Sequence, residues 1–275
     1  MCRLYAIRTH APVDVRDALL TAPNCLRVQS REHPDGWGIA TFDGGLPQVV
    51  RRLDPAHADA HFITAADPGP TRLLLAHVRQ ASVGAINMAN VHPFVRGRWV
   101  FMHNGTLTDF RQHQATIEAR IRPELLASVT STTDSERLFL LFLTLLEERR
   151  GTVDGASLEE VAWALSSVMA FVATHTDAPG RERSSMNLLV SDGSLMCITR
   201  RGRTLVLSTG PETSGLPESG TPLTTFALAS EPPHAGPGWV EVPEETVIGV
   251  DAGLTLSRWI VGELAARQLP HRAFG

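Results

Sequence analysis

The chain has 275 residues, 43% of them hydrophobic, and a formal net charge of −4 with no lysine among its 25 basic side chains. This length suits one large domain or two small ones with a sizeable core. The charge and the scattered arginines argue against a nucleic-acid-binding surface, and no apolar run is long enough to span a bilayer. No basic leader with an apolar core opens the chain, and its three cysteines form no disulfide framework. We therefore expect a cytoplasmic protein with neither a nucleic-acid nor a membrane partner.

Two groups of short strand patterns are separated by turn-forming residues. One group lies in the N-terminal hundred residues, and the other follows residue 185. Asp192-Gly193, between two such runs, is a strong hairpin signal. The predicted strands are Arg3–Arg8, Gly36–Phe42, Gln48–Leu53, Arg72–Val78, Trp99–His103, Asn187–Ser191, Leu195–Thr199, Thr204–Ser208, Thr224–Ala229 and Thr246–Val250.

Helical periodicity is clearest in two adjacent segments, Ser135–Arg149 and Leu158–His175, each of which carries an apolar face. Each begins with a predicted capping box, in which a hydroxyl residue and a glutamate three positions later cap the first turn. The pairs are Thr133 with Glu136 and Ser157 with Glu160.

A shorter helix is expected to open at Asp54-Pro55 and to run to about Ala65. It would carry His57 and His61 at metal-ligand spacing, but no third ligand accompanies them. A solvated helix face is therefore the expected role of this pair, and no metal site is predicted.

Strands come first, two long helices follow, and strands return. This order does not fit alternating βαβ units, and it favours an α+β protein with antiparallel sheets and a layer of helices. The segment Thr209–Pro222 is rich in Gly, Pro, Ser and Thr and predicts a long exposed loop. With no internal repeat and no clear boundary, we expect one domain over residues 2–275.

Cys2 is the candidate nucleophile. Because it is small, we expect an aminopeptidase to remove Met1 and leave a thiol and a free α-amine on one residue. An α-amine with a pKa near ~8 can exchange a proton with the thiol, so one residue would supply both nucleophile and base. Without lysine, no other amine exists in the chain. Cys25 and Cys197 are expected to pack as small hydrophobic residues.

Trp37 stands between two glycines at the start of a strand, where glycine permits close backbone approach beside a nucleophile. An ordinary tight turn explains the same residues. Arg79 follows a buried strand and can grip a carboxylate with two parallel hydrogen bonds, although a surface arginine is the commoner outcome. His92, in an irregular segment, is either a substrate-loop residue or a structural histidine.

Asn104-Gly105 ends a hydrophobic strand and predicts a turn. In acyl transfer the same pair can offer a side-chain and a backbone N–H to the oxygen that becomes negative. Asp134 lies in the first turn of a helix, where an acid is favoured by the helix dipole. It can also pair with a substrate ammonium group, and both roles are compatible.

The order of these segments resembles that of the class II glutamine amidotransferases, which are N-terminal-nucleophile hydrolases. The matching motifs are Cys2, DGWGIA, AHVRQAS, NVHPF, MHNGT and TDSE. The chain is most similar to the small stand-alone bacterial members. The similarity is clearest over residues 2–145 and continues through Ala229–Pro232 and Trp239–Pro243.

This resemblance implies a four-layer αββα fold with two stacked antiparallel sheets. It implies that Cys2 is the nucleophile, that Asn104 and Gly105 form the oxyanion hole, and that no metal or organic cofactor takes part. The implied substrate-binding residues are Arg79 for an α-carboxylate, Ser82 beside it, Asp134 for an α-ammonium, and His92 and Trp37.

Three functions remain open. The leading one is hydrolysis of glutamine, or another γ-glutamyl amide, through a thioester on Cys2. The second keeps this mechanism and cleaves a γ-glutamyl peptide or conjugate, such as a glutathione-type compound or a thiol-histidine precursor. The third is a non-catalytic γ-glutamyl-binding subunit, for which a separate synthase would be the partner. A synthase subunit would also serve the first function as the ammonia acceptor. Gln80, after Arg79, departs from the sugar- and nucleotide-linked members, so their acceptors do not transfer.

Overall fold

The computed structural model describes residues 2–42 and 44–267, so residues 43 and 268–275 of the predicted domain lie outside the described residues, as does Met1. Within these ranges the chain forms thirteen strands. They are β1 (Arg3–Val13), β2 (Trp37–Phe42), β3 (Pro47–Arg52), β4 (Thr71–Val78), β5 (Phe94–Arg96), β6 (Trp99–Thr106), β7 (Ser185–Ser191), β8 (Met196–Arg200), β9 (Val206–Ser208), β10 (Thr225–Ala229), β11 (Val240–Glu241), β12 (Thr246–Val250) and β13 (Leu256–Ile260).

Seven α-helices accompany the strands in the described part of the chain. They are α1 (Leu26–Gln29), α2 (Ala60–Ala65), α3 (Phe110–Glu118), α4 (Pro123–Leu126), α5 (Asp134–Arg150), α6 (Leu158–Thr176) and α7 (Val261–Ala265). A π-helical turn at Asp17–Thr21 and a 3₁₀ turn at Met88–Asn90 complete the helical elements.

The strands form two antiparallel sheets. The first has seven strands in the order β11-β9-β10-β1-β4-β2-β3, and the second has six in the order β13-β12-β8-β7-β6-β5. Three hydrophobic clusters separate four layers. The inner core fills the space between the sheets, with Leu4, Leu75 and Val100 among its members. The other two clusters join helices to the outer faces, one under α1 and α2 and one under α3, α5, α6 and α7. The expected αββα arrangement is confirmed.

The central strand β1 shows why the sheets are buried on both faces. Leu4 and Ala6 belong to the inner core, whereas Tyr5 and Ile7 belong to the outer cluster under α1 and α2. Successive side chains of a strand point to opposite faces, so a continuous apolar run supplies both cores. Because β1 begins at Arg3, this burial anchors the chain immediately after Cys2.

Both long helices were predicted within two residues of their observed bounds. The expectation of a single apolar face is incomplete for α5, which is buried at every position from Asp134 to Leu146. The helices α3, α4 and α6 and the strand β6 all contact it, so little of its surface reaches solvent.

One of the two predicted capping boxes is present. Glu160 N donates to Ser157 Oγ at 3.3 Å, and Ser157 N donates to Glu160 Oε2 at 2.8 Å. At the start of α5, Thr133 makes no side-chain capping bond, so that prediction is wrong. Glu136 instead accepts from Ser131 N and pairs with Arg96 at 3.0 Å, because a buried carboxylate gains more from a guanidinium than from a cap.

The short helix predicted from Asp54-Pro55 starts later than expected. The observed helix α2 begins at Ala60, where Asp59 caps it by accepting from His61 N at 2.9 Å. His57 therefore precedes the helix, and the two histidines do not share a helical face. The helix starts at Ala60 because the Asp59 carboxylate accepts from a free N–H of the first turn, and Pro55 has no side-chain acceptor for this purpose.

The predicted end of β6 at His103 is also wrong. The strand continues to Thr106, with Asn104 opposite Asn187 and Gly105 opposite Met186 in β7. Pairing with a neighbouring strand here outweighs the turn preference of Asn-Gly. By contrast, Asp192-Gly193 does lie in the hairpin between β7 and β8 as predicted. Residues 209–222 form neither helix nor strand, although Thr213 is buried.

Candidate active site

The register of β1 on β4 places Cys2 beside Arg79. Arg3 lies opposite Val78, the last residue of β4, so the residues just beyond the two strand ends meet. The half-buried thiol of Cys2 donates to the carbonyl oxygen of Gln80 at 3.5 Å. The predicted nucleophile therefore lies at the N-terminal end of β1, the central strand of the seven-stranded sheet.

A small cavity opens at Cys2 between the two sheets and the start of α5. It brings together residues from five chain segments that are far apart in sequence. Its lining residues are Cys2, Arg79, Gln80, Ser82, Val83, His92, His103, Gly105, Thr133, Asp134 and Ser135. Six of the predicted site residues are among them, namely Cys2, Arg79, Ser82, His92, Gly105 and Asp134.

Arg79 offers an unused donor to this cavity. Its side chain is only 3% exposed, and Nη2 donates to the carbonyl oxygen of Val83 at 3.1 Å. Nη1 is buried without a hydrogen-bond partner among the described residues. Burial lowers the pKa of Arg79, while the nearby Cys2, Asp35 and Asp134 act in the opposite direction. A buried guanidinium with a free N–H is suited to bind an anion.

Asp134 offers the opposite charge across the cavity. Its carboxylate accepts from Leu107 N at 2.9 Å and from Ser135 N at 2.8 Å, which fixes its orientation at the start of α5. Within the described ranges, no arginine forms an ion pair with it. Its negative charge is therefore available to a cationic group of a ligand.

Asn104 and Gly105 come from the second sheet. Asn104 is 2% exposed, and its Nδ2 donates to Ser230 Oγ at 2.8 Å, while its Oδ1 is buried without a partner among the described residues. At Gly105, a Cβ would collide with the carbonyl oxygen of Ser185 and with the ring of His103. Only glycine lets β6 approach Ser185 of β7 so closely at this position.

The glycines of the DGWGIA motif have separate structural reasons. Gly36 has φ +115°, a conformation that other residues rarely adopt. At Gly38, a Cβ would collide with the carbonyl oxygen of His92 and would press on Pro93. The glycine thus allows the His92-Pro93 segment to lie directly on β2 and brings His92 to the cavity.

Ser82 and Trp37 differ in their relation to the cavity. Ser82 is exposed at its rim, with Oγ 2.9 Å from Thr106 Oγ1. Trp37 does not reach it, which corrects the expected substrate-binding role. Its fully buried ring packs edge-on against Phe62 on the outer face of the sheet, and Nε1 donates to Asp59 at 3.0 Å. Because side chains alternate along β2, Trp37 and Ile39 face outward, whereas Ala40 belongs to the inner core.

Four buried histidines surround the site, and only His92 was singled out from the sequence. His77 and His92 lie with ring centroids 4.4 Å apart, and their ring nitrogens have no hydrogen-bond partner among the described residues. Burial lowers the pKa of His77 to about 3, that of His33 to about 4, and that of His92 well below its usual value. His103 is held by Ser135 Oγ and the carbonyl oxygen of Ser185, each at 3.0 Å.

Sequence reasoning also missed the roles of Asp35 and Ser230. Asp35 accepts from Ala81 N at 2.7 Å and its own N–H donates to Arg79 O, which fixes the chain on either side of Gln80. Ser230 contacts Asn104 from the end of β10. The available signal for Asp35 was its place in DGWGIA, and for Ser230 its place in Ala229–Pro232.

In the part of the chain that the structure describes, no cluster of three or more His, Cys, Asp or Glu side chains is arranged to hold a metal ion. His57 contacts Ser30, and His61 contacts Asp59. No helix among the described residues is long and apolar enough to cross a membrane.

The fold and the site agree with a family match. Residues 1–211 match the family model described as class II glutamine amidotransferases, which is most of the chain. The chain therefore belongs to the class II glutamine amidotransferases.

Particular relatives are similar over much of the chain. A Saccharomyces cerevisiae protein named probable glutamine amidotransferase DUG3 is 27% identical over 232 residues, 73% of this chain but 63% of that protein. The γ-glutamyl-hercynylcysteine sulfoxide hydrolase of Mycolicibacterium smegmatis is 28% identical over 261 residues, 91% of this chain and 96% of that protein. The chain thus spans less than two thirds of the yeast relative and nearly all of the mycobacterial one.

A solved structure of a class II glutamine aminotransferase domain protein from Silicibacter pomeroyi has the same fold. It superimposes with a TM-score of 0.62 at 22% identity, over 94% of this chain and 99% of that one.

Proposed function

We propose that the protein hydrolyses the amide bond of a γ-glutamyl compound through a γ-glutamyl thioester on Cys2. The observation that carries the proposal is the cavity in which the thiol of Cys2 meets the buried guanidinium of Arg79 and the carboxylate of Asp134. A γ-glutamyl group has a carboxylate and an ammonium on its α-carbon and the scissile carbonyl at the far end of its side chain. The three protein groups match these three features.

Recognition of the α-carbon follows from the two charges. The free Nη1 of Arg79 binds the α-carboxylate, and Ser82 at the rim adds a hydroxyl beside it. Asp134 binds the α-ammonium, because its carboxylate is oriented by backbone N–H groups and lacks an arginine partner among the described residues. Charge-assisted hydrogen bonds of this kind are the strong ones in proteins.

The thiol of Cys2 needs a base. Burial raises its pKa, with Arg79 acting in the opposite direction, so the thiol is protonated at neutral pH. After removal of Met1, the α-amine of Cys2 takes this proton as the sulfur attacks the carbonyl carbon. His92 is a weak base because burial lowers its pKa, and both ring nitrogens of His103 already have partners.

The reaction then passes through two tetrahedral intermediates. The Asn104 amide and the Gly105 N–H stabilise the negative oxygen, and one such donor contributes about 3 kcal/mol. The amine gives its proton to the leaving nitrogen, the carbon–nitrogen bond breaks, and a thioester remains on Cys2. A water molecule, deprotonated by the same amine, attacks the thioester and releases glutamate.

The leaving group distinguishes two candidate substrates. Glutamine would release ammonia, which a separate synthase subunit could consume. A γ-glutamyl conjugate would release a larger amine and need no acceptor. The mycobacterial relative supports the conjugate, since it is named for such a substrate and matches over 96% of its length.

Two assays test the nucleophile. One measures the intact mass after exposure to 6-diazo-5-oxo-norleucine, and the other measures turnover of γ-glutamyl-p-nitroanilide and of glutamine. We expect one adduct and turnover in the chain that has lost Met1, and neither in Cys2→Ala. Cys25→Ala is the matched control, because Cys25 is buried and does not line the cavity. Turnover that survives in Cys2→Ala would refute the mechanism. A processed wild type that forms no adduct would favour the non-catalytic subunit.

A further inference from the structure

Ser230 connects the two halves of the site, although it does not line the cavity. It follows β10, and its N–H donates to the carbonyl oxygen of Leu4 at 3.0 Å. The N–H of Leu4 in turn donates to Ser230 Oγ at 3.0 Å. Both backbone and side chain of Ser230 therefore hold β1 two residues after Cys2.

The same hydroxyl reaches the second sheet. Tyr5 pairs with Ala229, so Leu4 and Ser230 are opposite each other and face the same way, into the inner core. There Ser230 Oγ accepts from Asn104 Nδ2 of β6 at 2.8 Å. One buried oxygen atom, in a side chain 1% exposed, thus joins the strand of the nucleophile to the strand of the oxyanion hole.

The hydrogen bond to Ser230 leaves a second N–H and the carbonyl oxygen of the Asn104 amide for other partners. A primary amide has two N–H groups and one carbonyl oxygen. One N–H of Asn104 Nδ2 donates to Ser230, while Oδ1 is buried without a partner in the described structure. If the amide is turned over, the hydroxyl hydrogen of Ser230 can donate to Oδ1, and both N–H groups become free. In either orientation Ser230 fixes the plane of the amide and leaves an N–H for a ligand.

We propose that Ser230 is a positioning residue that holds the Asn104 amide against the nucleophile strand, so that its N–H faces the oxygen of the tetrahedral intermediate. The inference rests on the proposed function, because it assigns Asn104 to the oxyanion hole. Without the hydroxyl, the amide is free to rotate about its last torsion. Its stabilisation of the intermediate is then lost, whereas the contacts of Arg79 and Asp134 with the substrate are unchanged.

A double-mutant cycle on Ser230 and Asn104 tests this role, with γ-glutamyl-p-nitroanilide as substrate. Loss of one oxyanion donor costs on the order of 100- to 1,000-fold in kcat, which we expect for Asn104→Ala. Ser230→Ala should lower kcat by at least roughly 10-fold, which is less than the loss expected for Asn104→Ala. Its KM should stay within about twofold of wild type. In the Asn104→Ala background, Ser230→Ala should have no further effect, because residues in one network are not additive.

Three controls separate positioning from general damage. Ser191→Ala removes another fully buried serine, whose Oγ donates to Leu195 O and accepts from Gly193 N in the far hairpin, and should keep wild-type kcat. Ser230→Thr keeps the hydroxyl and should be faster than Ser230→Ala. Alkylation of Cys2 by iodoacetamide forms no oxyanion, so its rate should be the same in wild type, Ser230→Ala and Asn104→Ala.

The results discriminate between the inference and the function beneath it. A wild type without Cys2-dependent turnover would overturn the proposed function and this inference with it. With an active wild type, the inference alone is overturned by any of three results. These are a normal kcat in Ser230→Ala, an equal Ser230→Ala effect in both backgrounds, and a loss carried mainly by KM.

Discussion

At the scale of single residues, the site combines two groups whose hydrogen bonds are incomplete in opposite ways. Arg79 keeps a buried N–H without a partner, and Asn104 keeps a buried carbonyl oxygen without one, among the described residues. Buried polar groups are nearly always paired in folded proteins. Arg79 lines the cavity at Cys2, so its unpaired N–H is placed to meet a ligand there.

Replacing Arg79 should weaken binding more than chemistry. Arg79→Gln removes the charge that we assign to the α-carboxylate, and a hydrogen bond to a charged group corresponds to a KM increase on the order of 10- to 100-fold. Steady-state kinetics with γ-glutamyl-p-nitroanilide measure it. Arg72→Gln is the matched control, because Arg72 lies exposed on the same strand. An unchanged KM in Arg79→Gln would contradict the assignment.

At the scale of elements, the site is assembled from strand ends and the loops that close over them. Cys2 precedes β1, Arg79 follows β4 and Gly105 lies near the end of β6, and close contacts around them are possible because two glycines carry no side chain. Gly38 admits the carbonyl oxygen of His92, and Gly105 admits that of Ser185. Both glycines are therefore needed for close packing, whatever further role the N–H of Gly105 has in the proposed reaction.

Gly38→Ala should destabilise the protein and displace His92. A methyl group cannot fit against the His92 carbonyl, and overpacking of this kind costs about 1–3 kcal/mol of the free energy of unfolding. Gly215→Ala is the control, since a Cβ there meets no atom within 4 Å. Urea denaturation compares the two variants. Equal midpoints would contradict the prediction, because they would show that the His92-Pro93 segment moves away without loss of stability.

At the scale of the whole molecule, four buried histidines gather at the Cys2 end of the two-sheet sandwich, namely His33, His77, His92 and His103. Burial keeps three of them neutral by lowering the pKa of His33 to about 4, that of His77 to about 3, and that of His92 well below its usual value.

Stability should therefore fall as the pH falls below about 6.5, the pKa of an ordinary histidine. Below that pH the unfolded chain binds protons that the folded chain refuses, so acid favours unfolding. Each neutral histidine should lower the free energy of unfolding by about 2 kcal/mol when the pH falls from about 7.5 to about 5. Urea denaturation at several pH values measures this, and His33→Gln should flatten the decline. His10→Gln, an exposed control, should not. A pH-independent midpoint across this range would contradict the assignment of neutral histidines.

Much of the fold follows from local patterns. The alternating and continuous apolar runs predict most strands, and the bounds of α6 agree with its capping box at Ser157. The errors occur where a long-range partner outweighs a local preference. Glu136 pairs with Arg96, forty residues earlier, and does not cap α5. Asn104-Gly105 pairs with β7 and does not form a turn.

By itself, the sequence determined the family and the two-sheet fold and pointed to most residues of the candidate site, because these depend on residue types, their order and their periodicity. Only the tertiary structure decided which way Trp37 faces, which histidines are desolvated together, and what holds the Asn104 amide. These depend on contacts between residues far apart in the chain. Ser230 lies 126 positions from Asn104 and 226 from Leu4. No local pattern encodes a hydrogen bond over that separation, because the packing of the two sheets against each other creates it.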